Sequence, residues 1–198
     1  MPRLTSPAPI VAIIYDEGER ITPLMDRIVA LLRAKACRLA GLRQREEWRP
    51  GQSRCDMVLE ELASGIVTPI SEDRGAGARG CRLDVDALLN AMVRARVALD
   101  DEPDLLLVNK FGKTESEGGG LRPLIVAAIE REVPVLVAVP RGNNDGWRAF
   151  AGELAVEHRL ADLPDDDEAL ISRFGFEIDG RSNGRRPRSG ARIGSPAA

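Results

Sequence analysis

The segment Asn109-Lys110-Phe111-Gly112-Lys113-Thr114-Glu115-Ser116-Glu117-Gly118 gathers side chains able to do chemistry within ten residues. Lys110 and Lys113 are cations and Asn109 supplies an amide. The glycines, Gly112 among them, let backbone N–H groups approach a ligand closely. A second group, Arg141 with Asn143 and Asn144, and a third, Arg20, each follow an apolar run. Such residues suit the binding of a small anion or a nucleotide phosphate. The carboxylates Asp16, Glu17, Glu115 and Glu117 offer a different chemistry, an oxygen-ligand site for Mg²⁺ supporting phosphotransfer. Four acids on two polar loops are more often solvated, and the reading assigns no metal site. The cofactor is left unknown.

The elements that position these residues are legible as periodicity. Ile10 to Ile14, Leu105 to Val108 and Pro134 to Val139 are short apolar runs, the pattern of strands buried on both faces of a parallel sheet. Leu24, Ile28, Leu31 and Leu32 recur at helical spacing behind Thr22-Pro23, which reads as an N-cap with proline at the first helical position. Cys37 to Leu42 reads as a strand ending in a polar loop, Arg43 to Ser53. Residues 55–70 lean toward a β-hairpin around Ser64-Gly65, though helix and strand compete over 55–63. Asp84 caps a helix with an apolar stripe of Val85, Leu88, Leu89, Met92 and Leu99. Leu121 to Arg131, a short stretch around Trp147 to Leu154, and Asp165 to Phe174 are further helices, with an edge strand near Val156 to Leu160. Alternating strands and helices predict an α/β, three-layer parallel sheet, P-loop-NTPase-like or Rossmann-like, with a β-hairpin insertion. In such sheets ligands bind beyond the carboxyl ends of the strands, where Tyr15 to Ile21, Asn109 to Gly120 and Pro140 to Gly146 lie.

Gly112-Lys113-Thr114 is not a P-loop. The pattern needs a glycine five residues before Gly112, after the first strand, and that position is Leu107, inside a strand. After the first strand the chain reads Asp16-Glu17-Gly18-Glu19-Arg20, with no lysine and one glycine.

Cys55-Asp56-Met57 with Leu59, Ser64-Gly65, Ile70-Ser71, Gly80-Cys81-Arg82-Leu83-Asp84, and above all the Asn109 to Gly118 loop with Gly120-Leu121-Arg122, resemble bacterial domain-of-unknown-function family 2478 over roughly Ile10 to Phe176. The resemblance implies a role in metal-oxyanion physiology, molybdenum foremost. That family is similar in layout to small nucleoside-triphosphatases first described from thermophiles, whose D-E-x-G-x-x-E segment follows a central strand. Laid on that segment, Gly112 and Glu115 match, Asn109 stands at the metal-side Asp and Lys110 at the catalytic Glu. Phosphoryl transfer relies on Mg²⁺ and cations to neutralise developing charge, so these departures imply a scaffold kept without its hydrolytic machinery. First among the alternatives is a non-hydrolytic anion- or phosphate-binding protein using Asn109, Lys110, Gly112, Lys113, Arg141 and Asn143, with Glu115 orienting a lysine. The others are a Mg²⁺-dependent nucleoside-triphosphatase and a protein-interaction module. Whether the chain is an enzyme stays open, leaning against.

Composition sets the frame. The 198 residues are 43 % hydrophobic and 30 % charged, a globular balance that suits one α/β domain over residues 10–179. Residues 1–9, broken by Pro2, Pro7 and Pro9, are expected to be flexible. No apolar run is long enough to span a membrane, and without a secretory signal the default location is cytoplasmic. Gly180 to Ala198 carries five arginines and no acid, against a net charge of −3 for the whole. That segment is expected to be a disordered, solvated tail rather than a nucleic-acid contact. Cys37, Cys55 and Cys81 are widely spaced and suit buried thiols better than disulfides or zinc. The lone His158 reads as a surface residue. The ligand's identity and the oligomeric state are not readable from these residues.

Overall fold

The computed structural model describes residues 3–6, 8–47, 56–71 and 84–179. Residues Gly80 to Leu83 of the family-like segment, Cys55 and the basic tail lie outside them. Its strands are β1 (Arg3–Thr5), β2 (Ile10–Tyr15), β3 (Leu39–Glu47), β4 (Asp56–Glu61), β5 (Val67–Pro69), β6 (Leu105–Asn109), β7 (Val135–Pro140), β8 (Ala155–Arg159) and β9 (Glu177–Asp179). The helices are α1 (Ile21–Ala34), α2 (Val85–Ala98), α3 (Lys113–Ser116), α4 (Arg122–Glu130), α5 (Asn144–Ala151) and α6 (Asp167–Arg173).

Seven strands form one sheet in the order β5-β4-β3-β6-β7-β2-β8. β3, β6, β7, β2 and β8 run parallel, and β4 and β5 add an antiparallel extension beside β3. Counted in chain order as first to fifth, the parallel strands lie 2-3-4-1-5, which differs from the 3-2-1-4-5-6 of dinucleotide-binding folds. The expected three-layer α/β sheet is therefore present, as is the expected hairpin, β4 with β5.

Alternation along the central strands divides the core in two. Ile13, Leu105, Leu107, Leu136 and Ala138 face α1 and α6, where Met25, Ile28, Leu32 and Leu170 cover them. Ala12, Leu106, Val108, Val135 and Val137 face α2, α4 and α5, under Leu88, Ala91, Leu124 and Trp147. Apolar area removed from water on both faces, worth about 25 cal/mol per Å², explains why these strands carry no polar residue until Asn109 at the end of β6. Gly41, at φ +115°, lets β6 pass close, since a Cβ there would lie within 2.8 Å of Leu107 backbone atoms.

Some boundaries differ from the expectations. Cys37 to Leu42 was expected to end in a polar loop, but β3 continues through Arg43 to Glu47, because Arg43 finds acid partners across the sheet and on α1. Helix α1 begins at Ile21, with Arg20 at the cap position, so Thr22 and Pro23 lie inside its first turn rather than at its boundary. On α2 the inward positions are Leu88, Ala91, Ala95 and Ala98, whereas Val85 and Leu89 point to solvent. Within the segment 1–9, Arg3–Thr5 pairs antiparallel with Glu177–Asp179; Leu4 is buried there against the α1 side of the core.

Candidate functional site

The chain leaves β2 through α1 on one face of the sheet and leaves β7 through α5 on the other. Loops that part in opposite directions open a crevice at the carboxyl edge, the usual ligand position in an open parallel sheet. Three loops meet there: residues 16–20 after β2, 110–121 after β6 and 141–143 after β7. They are tied to one another directly. The Phe111 N–H donates to Ala138 O at 2.9 Å, and the Asn143 amide donates to Phe111 O at 3.1 Å. Arg141 Nε pairs with Asp16 Oδ1, and Arg159 at the end of β8 reaches Asp16 Oδ2 at 3.9 Å.

The loop after β2 is closed on itself. The Glu19 carboxylate accepts from the Asp16 N–H, and the Glu19 N–H donates back to Asp16 O at 3.1 Å. Acceptors thus stand where a phosphate cradle would present N–H donors. Tyr15, which closes β2, is half-buried, and burial pushes its hydroxyl up to about 12, too high for a base.

Glu115 organises the loop after β6. Its carboxylate is buried and accepts the Gly112 N–H at 2.7 Å and the Leu121 N–H at 2.9 Å. Arg122 then fastens the loop from outside, donating to Glu115 O at 2.5 Å and to Ser116 O and Gly146 O at 3.4 Å. Its guanidinium lies over the Phe150 ring at 4.8 Å and the Phe111 ring at 5.7 Å, a cation–π clamp. Phe111 meets Trp147 edge-on at 5.2 Å beneath it. Gly146 allows α3 and α5 to touch, since a Cβ there would come within 2.9 Å of Ser116 Cα.

The expected site residues therefore divide. Lys110 and Arg141 are exposed at the crevice, and Asn109 is buried beneath it with its amide nitrogen unpartnered. Strand alternation puts Asn109 on the α1 side, between Arg43 of β3 and Ala138 of β7. Asn143 is engaged by Phe111 O, and Gly112 begins α3 with its N–H on Glu115. Lys113 is exposed and pairs with Glu117 at 3.7 Å, not with Glu115. Glu115 holds backbone rather than orienting a lysine. Three of the four carboxylates of the alternative metal site are engaged separately, Asp16 by two arginines, Glu115 by two N–H groups and Glu117 by Lys113. Among the described residues no group of three or more His, Cys, Asp or Glu is placed to hold a metal ion.

Sequence reading missed two features. One is a cleft of about 220 Å³ beside β2 and β8, lined by Ile14, Arg141, Asn144, Arg148, Glu157, His158 and Arg159. It continues the crevice around Arg141 and is lined by three guanidiniums, of which Arg148 pairs with Glu157 at 2.7 Å, while strand alternation turns the His158 ring toward the α6 face of the sheet. His158 is part-buried, edge-on to Phe174 at 5.6 Å. Burial, then the charge of Arg173, lowers its pKa below the ordinary imidazole value. Basic residues at the carboxyl end of the last parallel strand were the available signal. The other feature is a buried ion cluster on the α1 side, where Arg43 bonds Glu60 and holds Asp26 at 2.9 Å. Arg45 and Arg33 approach Glu60 at 3.2 and 3.7 Å.

The chain is 34 % identical over 147 residues to the "Molybdenum import ATP-binding protein ModC 2" of Bradyrhizobium diazoefficiens. The aligned part is 74 % of this chain and 16 % of that protein, so the chain spans about one sixth of the relative's length. No solved structure matches. The model of the family described as "Protein of unknown function (DUF2478)" matches residues 10–172, and the chain belongs to that family.

Proposed function

We propose that this chain binds a small oxyanion, or the phosphate of a nucleotide, at the crevice above β2, β6 and β7, and does so without hydrolysing it. The observation that carries the reading is the state of the donors there. Two guanidiniums, Arg141 and Arg159, share the single carboxylate of Asp16, and the Asn109 amide lies below with a buried N–H and no acceptor. A buried donor left unpaired costs about 1–3 kcal/mol, a cost that an arriving anion removes. Lys110, exposed next to Asn109, adds a charge.

The absence of turnover in this reading rests on how the acids are used. Phosphoryl transfer needs a group to position water and negative ligands for Mg²⁺. Here Glu115 is occupied by backbone, Asp16 by arginines, and residues 109 and 110 are an amide and a cation. The similarity to a molybdenum import ATP-binding protein supports molybdate and ATP as the first ligands to test. No helix among the described residues is long and apolar enough to cross a membrane, which fits the cytoplasmic location included in this proposal.

A thermal-shift screen with molybdate, tungstate, sulfate, phosphate, ATP and GTP, with and without Mg²⁺, tests the reading. A ligand present at 100 times its Kd stabilises by about 2.7 kcal/mol, or roughly 5–10 °C for a chain of this size. The expected result is a selective shift that needs no Mg²⁺. A Mg²⁺-dependent shift confined to nucleotides, with phosphate released, overturns it in favour of a nucleoside-triphosphatase.

A further inference from the structure

Helix α2 is apolar on two opposite sides. Its inward face is mostly small, with Leu88, Ala91, Ala95 and Ala98 on the core, and its outward face carries the bulkier Val85, Leu89, Val93 and Val97, exposed by 58, 50, 63 and 61 %. An amphipathic surface helix normally does the reverse, turning charge to solvent. The four outward residues are spaced by four, so they form one continuous ridge of the kind that interdigitates with the equivalent ridge of another helix by seating in the groove beside it. The ridge runs about 18 Å, at 1.5 Å per residue.

The ridge has a symmetry that identifies its partner. Reversed about Ala91, it maps onto itself: Val85 falls on Val97, and Leu89 on Val93. The two charges that flank it, Asp86 and Arg96, both exposed, exchange places under the same reversal. An antiparallel pairing of α2 with α2 of a second copy therefore sets aliphatic against aliphatic and each Asp86 against the other copy's Arg96. No like charges oppose one another along it. An isologous two-fold contact requires this self-complementarity, and an unrelated partner gives no reason for it.

We infer that α2 is a homodimer interface of this chain, formed by antiparallel packing of the Val85, Leu89, Val93 and Val97 ridge across a two-fold axis near Ala91. The contact is separate from the anion-binding crevice. A single helix pair is smaller than the ~1,600 Å² of a standard stable interface, so the dimer is expected to be reversible and concentration-dependent.

Sedimentation velocity on the full chain, from low micromolar to several hundred micromolar, reads the association directly. A reversible monomer–dimer equilibrium is expected. Leu89→Glu with Val93→Glu is expected to weaken it about a hundredfold, like-charged groups then facing across the axis. Asp86→Arg alone and Arg96→Asp alone should each weaken it about tenfold, and the double exchange, which restores opposite charges across the axis, should recover it. The substituted side chains are all exposed, and far-ultraviolet circular dichroism confirms that each variant is folded. A monomer at every concentration overturns the inference. So does a dimer indifferent to the Leu89 and Val93 changes, or single charge variants that the double exchange does not rescue.

Discussion

Gly120 and Glu115 fit together so closely that a Cβ on the glycine would lie within 2.6 Å of the glutamate's carboxyl carbon. Gly120 also holds φ at +59°, a left-handed conformation. The same carboxylate accepts the Leu121 and Gly112 N–H groups, so one buried side chain closes both ends of the loop that carries Lys110 and Lys113. Gly120→Ala meets a steric and a conformational penalty together, and Glu115→Gln turns an acceptor into an N–H that faces donors. Each is expected to cost about 1–3 kcal/mol, some 2–10 °C in Tm for a chain of this length. Scanning calorimetry checks it; a Glu115→Gln protein as stable as the parent contradicts the loop-holding role.

Glu60 gives the fold a sensitivity to acid. Burial pushes its carboxyl up, but the hydrogen bond and charge of Arg43, with the charges of Arg33 and Arg45, pull it further down, so it titrates below the ordinary glutamate value. A folded pKa below the unfolded one of about 4.3 contributes stability that is complete above that value and is lost as pH falls through the folded pKa. Stability of the parent is therefore expected to fall below about pH 4.3. Glu60→Gln should be less stable than the parent at pH 7, because it leaves the buried Arg43 with only the half-exposed Asp26 as a charge partner, and should show a shallower acid limb. Parallel curves for the two proteins between pH 3 and 7 contradict this.

The single histidine reports on the cleft. With its pKa lowered by burial and by Arg173, His158 is neutral in the free protein over a range where an exposed imidazole, near 6.5, is charged. Its folded pKa lies below the unfolded one, so this contribution is present above about 6.5 and fades as pH falls through the folded value. Because the chain contains one histidine, its ring-proton resonance titrates without overlap. A bound anion beside Arg141 and Arg159 favours the imidazolium, and the pKa is expected to rise when the ligand is added. An unchanged titration places the anion out of reach of this ring.

Much of this arrangement was legible in the chain and part was not. The central strands announced themselves as uninterrupted apolar runs, and their order of alternation with helices placed Asp16, Asn109 and Arg141 at one edge of the sheet. The strand β3 was read short because Arg43, Arg45 and Glu47 look like a loop; the acids that pair with the two arginines, Glu60 and Asp26, are remote in sequence. Glu115 was read as orienting a lysine because type and spacing cannot tell a carboxylate facing a cation from one folded onto two backbone N–H groups nine residues apart. The α2 stripe was read as one face because a helix apolar on both sides has no periodicity that says which side is inside.

Separate effects are expected for the two ends of the crevice. Asn109→Leu removes a buried donor that has no partner, so fold stability should be unchanged or slightly raised while anion affinity falls. Asp16→Asn frees Arg141 and Arg159 at a cost of under about 1 kcal/mol, as for exposed ion pairs, and should tighten anion binding. Arg141→Ala should weaken it about tenfold, as loss of a charge-assisted hydrogen bond does. Affinities and melting temperatures measured side by side on the three variants distinguish these outcomes, and a loss of stability in Asn109→Leu matching its loss of binding contradicts the assignment.

Isothermal titration with the anion that gives the largest thermal shift, repeated with Mg²⁺ and accompanied by a phosphate-release assay with ATP, tests the central claim most directly. The account predicts saturable binding that is indifferent to Mg²⁺, is lost in a Lys110→Ala, Arg141→Ala protein, and is accompanied by no phosphate release. Binding that requires Mg²⁺ and ends in released phosphate, or no heat with any anion, would contradict it.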